Sequence, residues 1–276
     1  MARPGKAMTS IAEALRNAGI DPGEARVLLR TVLRASDAHL AAHPEQELTE
    51  LQRAGYRDWV DRRRAGEPIA YLTGEREFYS LAFNVTPAVL IPRPETELLV
   101  EAALEHLPAG VPLRVLDLAT GSGCVAVTIG RWRPRATVTA TDISREALAL
   151  ARENAARHGA NIEFVESGWF ASLAGRRFDL IVANPPYIAA GDAHLDAGDL
   201  RYEPRAALVA GPRGLECIEA IVEQAPQHLA PGGWLLFEHG YNQGPCSRAL
   251  LAAGGFQEIG TLRDLANNER VCYGQV

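Results

Sequence analysis

Hydrophobic positions change their period along this 276-residue chain. Between residues 9 and 65 they recur every three to four positions. Ile11, Leu15 and Ala18 form one set, Leu28, Leu29, Val32 and Leu33 a second after Pro22, and Leu51, Tyr56, Trp59 and Val60 a third after Thr49. That spacing predicts three helices, each with a single apolar face. Ser10, followed three residues later by Glu13, reads as the capping box that opens the first. Across residues 77–85 apolar and polar positions alternate, which predicts a short hairpin. Pro87, Pro92 and Pro94 stiffen the next stretch, and a helix is expected to start at Glu95, just after Pro94. From residue 113 onward, short β-rich runs (113–118, 136–142, 161–166, 178–184 and 233–240) alternate with helical stretches near 123–132, 144–158 and 214–229. This is the βαβ alternation of a mostly parallel, doubly wound sheet. The expected organisation is an N-terminal helical bundle over 1–75, a hairpin linker over 76–92 and an α/β domain over 93–276.

Composition adds exclusions. A hydrophobic fraction of 47% and a charged fraction of 22% are ordinary for a globular protein and argue against disorder or a coiled coil. No apolar run approaches the roughly 18 residues of a membrane span, and no secretory leader is visible. Cys124, Cys217, Cys246 and Cys272 are far apart, so neither a metal site nor a disulfide framework is indicated, and a reduced, cytoplasmic setting is expected. Basic and acidic residues balance through residue 90, so the net charge of −6 comes from residues 91–276. A chain that grips nucleic acid phosphates usually carries a basic excess, so direct nucleic acid binding is not expected.

Candidate chemistry lies in two places. VLDLATGSG (115–123) runs from strand through a tight turn into a helix. Gly121 and Gly123 let the backbone approach a ligand, and the helix start offers free N–H groups. Asp142, at the end of the next strand, is placed to accept hydrogen bonds from ribose hydroxyls. The run from Gly121 to Ala126 also fits a dinucleotide fingerprint. Asp117 counts against that reading, since a carboxylate is awkward beside a pyrophosphate and suits a ligand with a positive centre. The alternative for Asp117 is a strand-end acid that caps backbone amides.

The second place is FDLIVANPPYI (178–188). Apolar residues lead to Asn184 at the carboxyl end of a strand, where such sheets bind ligands. Pro185 and Pro186 fix φ and lack N–H groups. The result is a stiff loop presenting the Asn184 amide oxygen and the Pro185 carbonyl as acceptors, with the flat face of Tyr187 beside them. Two acceptors suit a planar –NH2 group. They would orient a poor nucleophile and stabilise the positive charge that grows as its nitrogen attacks a methyl group.

VLDLATGSG, Asp142 and NPPY together resemble the class I S-adenosylmethionine-dependent methyltransferases that act on planar amino groups. LIPRPETE (90–97), GDLRYEPRAALVAG (198–211), LAPGGWLLFEHG (229–240), NNERV (267–271) and EPIAYLTGEREFYS (67–80) narrow this to a close resemblance to the peptide chain release factor glutamine methyltransferases. The likeness spans nearly the whole chain. It implies a Rossmann-like class I methyltransferase sheet with a small helical N-terminal domain joined by a β-hairpin. It also implies methyl transfer from S-adenosylmethionine to the side-chain nitrogen of the glutamine in the Gly-Gly-Gln loop of class I release factors. Ala119, Thr120, Gly121, Ser122 and Gly123 would line the cofactor loop, Asp142 would hold the ribose and Trp169 would lie against the adenine. Asn184 would touch both cofactor and substrate, and Asn184, Pro185, Pro186 and Tyr187 would hold the glutamine amide. The helical domain would contact the release factor, and the protein is expected to be a monomer.

Two positions depart from the family. Ala119 stands where glycine is usual, and its methyl is expected to be tolerated at negative φ. Gly168 stands where an acidic residue is common, which removes one polar contact to the adenine. Further expectations concern polar side chains. Arg93 and Glu95 would wall the substrate channel or form a structural salt bridge, and Glu203-Pro204 would brace the NPPY loop. Glu238 and His239 end a strand, with His239 structural, and Arg62-Arg63-Arg64 form a solvated face or touch RNA or a partner. The rival readings are methylation of a glutamine in a large-subunit ribosomal protein, an adenine-N6 nucleic acid methyltransferase, an NAD-dependent oxidoreductase and a non-catalytic binding module. The second would need base flipping and a basic groove, and the third leaves NPPY unexplained.

Overall fold

The computed structural model describes residues 9–276; the first eight residues of the 1–75 segment lie outside the described residues. The chain divides into two compact units between Gly74 and Glu75.

The smaller unit holds helices α1 (Ile11–Arg16), α2 (Pro22–Leu33), α3 (Asp37–Ala42), α4 (Glu50–Arg64) and α5 (Ile69–Thr73). Their starts follow local chemistry. Ser10 and Glu13 form a capping box, Asp21 caps α2 ahead of Pro22, Ser36 caps α3, and Thr49 pairs with Gln52 in a second box. Ile11, Leu28, Leu29, Tyr56, Val60 and Leu72 meet in the core. Leu51, expected inside, is 84% exposed. Five residues at 100° each place it well off the face that buries Tyr56 and Val60. Arg62 and Arg64 are exposed, as a solvated face requires, Arg63 is half-buried, and all three have partners. Arg62 pairs with Glu67, Arg63 reaches Glu24 at 2.6 Å, and Arg64 donates to the Ala18 carbonyl at 2.7 Å. The arginines tie α4 to its neighbours.

The larger unit is built on a seven-stranded sheet. Its strands are β3 (Arg114–Leu118), β4 (Thr137–Asp142), β5 (Ile162–Glu166), β6 (Phe178–Ala183), β9 (Leu229–Glu238), β10 (Gln257–Arg263) and β11 (Glu269–Gln275), and a hairpin of β1 (Glu75–Phe78) and β2 (Leu81–Asn84) precedes them. A short separate pair, β7 (Ile188–Ala189) with β8 (Val209–Gly211), follows β6. The sheet order is β10-β11-β9-β6-β3-β4-β5. The five strands from β9 to β5 run parallel, while β11 is antiparallel to both β9 and β10. Helices α6 (Glu97–Glu105), α7 (Cys124–Trp132), α8 (Arg145–His158), α10 (Glu216–His228) and α11 (Gly244–Ala253) flank it, and α9 (Arg205–Leu208) is a single short turn.

Both faces of the sheet are buried, which is why its strands read as nearly continuous apolar runs. Val115, Val138, Ala140, Leu180, Val182 and Leu236 pack on one side with α6 and α7, while Leu116, Leu118, Ile181, Leu235 and Phe237 pack on the other with α10. The sequence pattern does not reveal β10 and β11. β10 is a half-exposed edge strand whose pairing shifts register between Gln257 and Gly260, so its alternation is blurred.

The hairpin belongs to the larger unit. Its turn residues Tyr79 and Ser80 both have positive φ, 50° and 59°, as a two-residue primed turn requires. Glu97 accepts the Tyr79 N–H at 2.8 Å, and Phe78 and Phe83 enter the core. Glu97 is also where α6 begins, two residues later than expected, because Pro94–Thr96 forms one 3-10 turn first. Asn154 on α8 is the hairpin's anchor. Its Oδ1 accepts the Asn84 N–H at 2.8 Å, and its Nδ2 donates to the Asn84 carbonyl at 3.0 Å and the Ser122 carbonyl at 2.8 Å. One fully buried side chain therefore joins the hairpin to the glycine loop.

Replacing Asn154 with Leu removes the partner of the buried Ser122 carbonyl and of the half-buried Asn84 N–H and carbonyl, and an unpaired buried group costs about 1–3 kcal/mol. Asn154→Leu is expected to lose about 1–3 kcal/mol of stability in urea denaturation. A midpoint equal to the parent's would show that these bonds are dispensable.

Candidate active site

The parallel strands end together, and the glycine loop leaves β3 at this edge. Ala119, Gly121 and Gly123 all have positive φ: 55°, 55° and 81°. Gly123 also packs so tightly that a Cβ there would sit 3.0 Å from the Ala151 Cβ. Ala119 contradicts the expectation of a negative φ. Its methyl sits in the left-handed region at a cost of about 1–2 kcal/mol, which explains glycine as the usual residue.

The two strand-end acids hold this loop. Asp117 is buried, and its Oδ2 accepts from the Thr120 hydroxyl at 2.6 Å and the Ala126 N–H at 3.2 Å. Burial pushes its pKa up to about 7 against the pull of those bonds. The amide-capping role is thus real, yet Asp117 also lines the cavity above it. Asp142 accepts the Gly121 N–H through Oδ2 and the Ser144 N–H through Oδ1, each at 2.9 Å. Desolvation raises its pKa as well.

These residues open onto a cavity of about 440 Å³, a size suited to a small-molecule ligand. The cavity brings together Asp117, Ala119, Thr120, Gly121, Ser122, Asp142, Trp169, Asn184, Pro186 and Arg93. Gly123 stands behind the loop as the N-cap of α7, and Pro185 is buried outside the lining. Ile143, which no sequence motif singles out, also lines the cavity and is 74% exposed. Its one signal is an isoleucine directly after the strand-end acid. Gly168 lines the cavity too. A Cβ at that position would meet only Ile143 Cδ1, at 3.8 Å.

Asn184 follows the last residue of β6. Its Nδ2 donates to the Thr96 hydroxyl at 3.0 Å, and its Oδ1 is buried with no hydrogen-bond partner. The Thr96 hydroxyl in turn donates to Glu238 Oε2 at 2.6 Å, and the Tyr187 hydroxyl donates to Glu238 Oε1 at 3.1 Å. Burial raises the pKa of both Glu238 and Tyr187, and the Glu238 charge raises Tyr187 further. Thr96 is a second residue that sequence reasoning misses. It carries no signal beyond its place in LIPRPETE.

The loop is braced differently from expectation. Gln243 Nε2 donates to the Tyr187 carbonyl at 2.9 Å and the Gly214 carbonyl at 3.0 Å. Glu203 instead holds the chain before α6: it pairs with Arg93, and its Oε2 accepts the Ile91 N–H at 3.1 Å. Arg93 is therefore in a salt bridge, and it lines the first cavity and also a second one of about 580 Å³. Glu95, Tyr187, Glu238 and Arg270 line the second cavity too. His239 is buried, with Nδ1 at 2.8 Å from the Gly240 carbonyl and its pKa lowered by burial. It lines neither cavity.

Residues 95–200 match the family described as Methyltransferase small domain, and residues 6–74 match the PrmC N-terminal domain. The chain is 46% identical over 263 residues to the release factor glutamine methyltransferase of Salmonella typhimurium, covering 95% of this chain and 94% of that protein. It is 48% identical over 274 residues to the protein of the same name from Pseudomonas aeruginosa, covering 97% and 99%. Among solved structures, it resembles a methyltransferase from Pyrococcus furiosus with TM-score 0.55 and 18% identity, covering 78% of this chain and 96% of that one. It also resembles the T. thermophilus 16S rRNA N2 G1207 methyltransferase, solved with AdoMet and guanosine, with TM-score 0.54 and 23% identity, covering 73% and 49%. These structural likenesses show the fold.

The raised pKa of Asp117 makes a stability prediction. The folded chain holds this proton more tightly than the unfolded chain, so stability should fall as pH rises from about 4 to about 7, by at most about 1.4 kcal/mol per pH unit. Asp117→Asn should remove that part of the slope in urea denaturation of the ligand-free protein between pH 5 and 8. Equal slopes in the two proteins would mean that Asp117 titrates normally.

Proposed function

This chain belongs to the family of release factor glutamine methyltransferases, and we propose that Asn184 is the group that orients the acceptor amide. The reaction moves a methyl group from S-adenosylmethionine to the side-chain nitrogen of a glutamine in class I peptide chain release factors. S-adenosylmethionine supplies an electrophilic methyl on a positively charged sulfur, which keeps the bonding electron pair and leaves as a thioether. The acceptor in this reading is the glutamine of the Gly-Gly-Gln loop, and the setting is the cytoplasm. Among the described residues no helix is long and apolar enough to cross a membrane.

The first cavity suits this cofactor. Its glycine loop is already held open by Asp117 and Asp142, whose remaining lone pairs would serve the ligand's cationic end and its ribose hydroxyls. Ile143 and Trp169 offer apolar surface for the adenine. Opposite Gly168, main-chain groups would meet the adenine amino group in place of an acidic side chain.

The observation that carries the acceptor assignment is the Asn184 oxygen. Among the described residues four buried side-chain polar atoms lack partners, and only Asn184 Oδ1 belongs to a residue lining either cavity. An unpaired buried acceptor costs free energy that a ligand N–H would recover. Asn184 Oδ1 would hold one hydrogen of the glutamine amide and the Pro185 carbonyl the other, with Tyr187 flanking them. No base is needed before attack, because the nitrogen becomes acidic only once the new N–C bond forms. Its proton then passes to water. Arg93 and Glu95, on the second cavity, would meet the polypeptide that carries the glutamine. Residues 9–74 would dock the body of the release factor.

Asn184→Ala is expected to keep cofactor affinity within a few-fold by calorimetry and to slow single-turnover methyl transfer by about 10²–10³-fold. A release factor lacking the Gly-Gly-Gln glutamine serves as control. Transfer at the parent rate, or methylation of the control, would overturn the assignment. The chain shortened to begin at Glu75 should bind cofactor and transfer poorly to the intact release factor. Undiminished transfer would remove the docking role.

A further inference from the structure

The amide of Asn184 can face either way in its socket, and only one orientation leaves an acceptor for the substrate. With the amide flipped, its NH2 would confront the NH2 of the glutamine, and the interaction would turn repulsive. What fixes the choice is outside the NPPY turn. Glu238 at the end of β9 is fully buried, and as a carboxylate it offers acceptors only. It receives hydrogen bonds from two hydroxyls, Thr96 and Tyr187. The Thr96 proton is committed to Glu238, so the Thr96 oxygen can only accept from its other neighbour. That neighbour is the Asn184 amide at 3.0 Å, which must present its nitrogen. Asn184 Oδ1 is left buried and unpartnered, on a residue that lines the cavity.

We propose that Thr96 and Glu238 are positioning residues for methyl transfer: the relay Glu238–Thr96–Asn184 sets the amide flip that makes Asn184 an acceptor. The inference rests on the assignment of Asn184 to the acceptor amide, and it goes further by locating the decision on β9 and in the 3-10 turn before α6. Thr96 lines the first cavity and Glu238 the second, and in this reading both act through Asn184. Tyr187 closes the relay from the other side. The NPPY turn thus shares one buried carboxylate with the segment that precedes α6.

Thr96→Val is nearly isosteric and cannot accept from Asn184, while Thr96→Ser keeps the hydroxyl. Glu238→Gln keeps one acceptor and places a donor at the position of the other, so the two hydroxyls can no longer both donate to it. In single-turnover transfer to a release factor, Thr96→Val and Glu238→Gln should lower the rate by about 10–100-fold with the KM for S-adenosylmethionine within about threefold, and Thr96→Ser should restore it to within about threefold. In an Asn184→Ala background, Thr96→Val should change the rate by less than about threefold, since the group it acts through is gone. A second readout needs no acceptor. The side-chain amide signal of Asn184, identified by its loss in Asn184→Ala, should show slowed hydrogen exchange in the parent and in Thr96→Ser but fast exchange in Thr96→Val and Glu238→Gln. Parent-like rates in Thr96→Val and Glu238→Gln, an equal loss in both backgrounds, or unchanged amide exchange would overturn the relay. A parent enzyme that leaves the release factor unmethylated would instead overturn the substrate reading, and the amide exchange would still judge the relay.

Discussion

One buried carboxylate joins the parts of this site. Glu238 sits at the end of β9 and takes hydrogen bonds from Thr96, 142 residues away in sequence, and Tyr187, 51 residues away. A charge placed in the interior is tolerated only when its lone pairs are occupied. The same requirement that keeps Glu238 satisfied therefore holds β9, the 3-10 turn before α6 and the NPPY turn in one register. The geometry of Asn184 follows from that register. Its NH2 is occupied, its buried oxygen is unpaired, and the Pro185-Pro186 pair stiffens the loop.

The cofactor side obeys a similar logic. Asp117 and Asp142 each spend hydrogen-bonding capacity on the chain before any ligand arrives, on Thr120 and Ala126 in one case and on Gly121 and Ser144 in the other. The glycine loop is thereby held in a left-handed backbone that would otherwise be mobile. A ligand meets a formed surface and does not have to order it, which lowers the entropic cost of binding. The positive φ of Ala119 shows how strongly the loop is determined, since the fold holds a methyl group where glycine would fit without strain.

Charges elsewhere serve the architecture. Arg93 faces both cavities yet is paired with buried Glu203, and Arg62, Arg63 and Arg64 serve as cross-links within the helical unit. Arg62 and Arg64 are exposed as the sequence pattern suggests, but a linear pattern records their charge and not the position of their partners. The loop brace is misplaced by the sequence for the same reason. The motif pattern places Glu203 against the NPPY turn, but that turn is bonded by Gln243, which no motif singles out, and by Thr96 and Glu238.

The sequence by itself determined what depends on neighbours along the chain. The capping boxes at Ser10 and Thr49, the period-2 hairpin, the apolar parallel strands and the glycine turn are local, and each is fixed by hydrogen bonds or sterics within a few residues. NPPY and the strand-end acids also declared the chemistry, because their residue types suit few other tasks. Tertiary structure decided the rest. β10 and β11 were illegible, and for β10 the reason is a half-exposed, bulged edge that gives no clean alternation. Asn154 in α8 has the pattern of a surface polar residue until Asn84 and Ser122 are brought against it. Thr96 and Glu238 stand in the LIPRPETE and LAPGGWLLFEHG segments, but nothing in the sequence shows that the two side chains meet. Which way Asn184 faces is set by a hydrogen-bond relay among residues far apart in the chain, and such a relay exists only once folding has closed those distances.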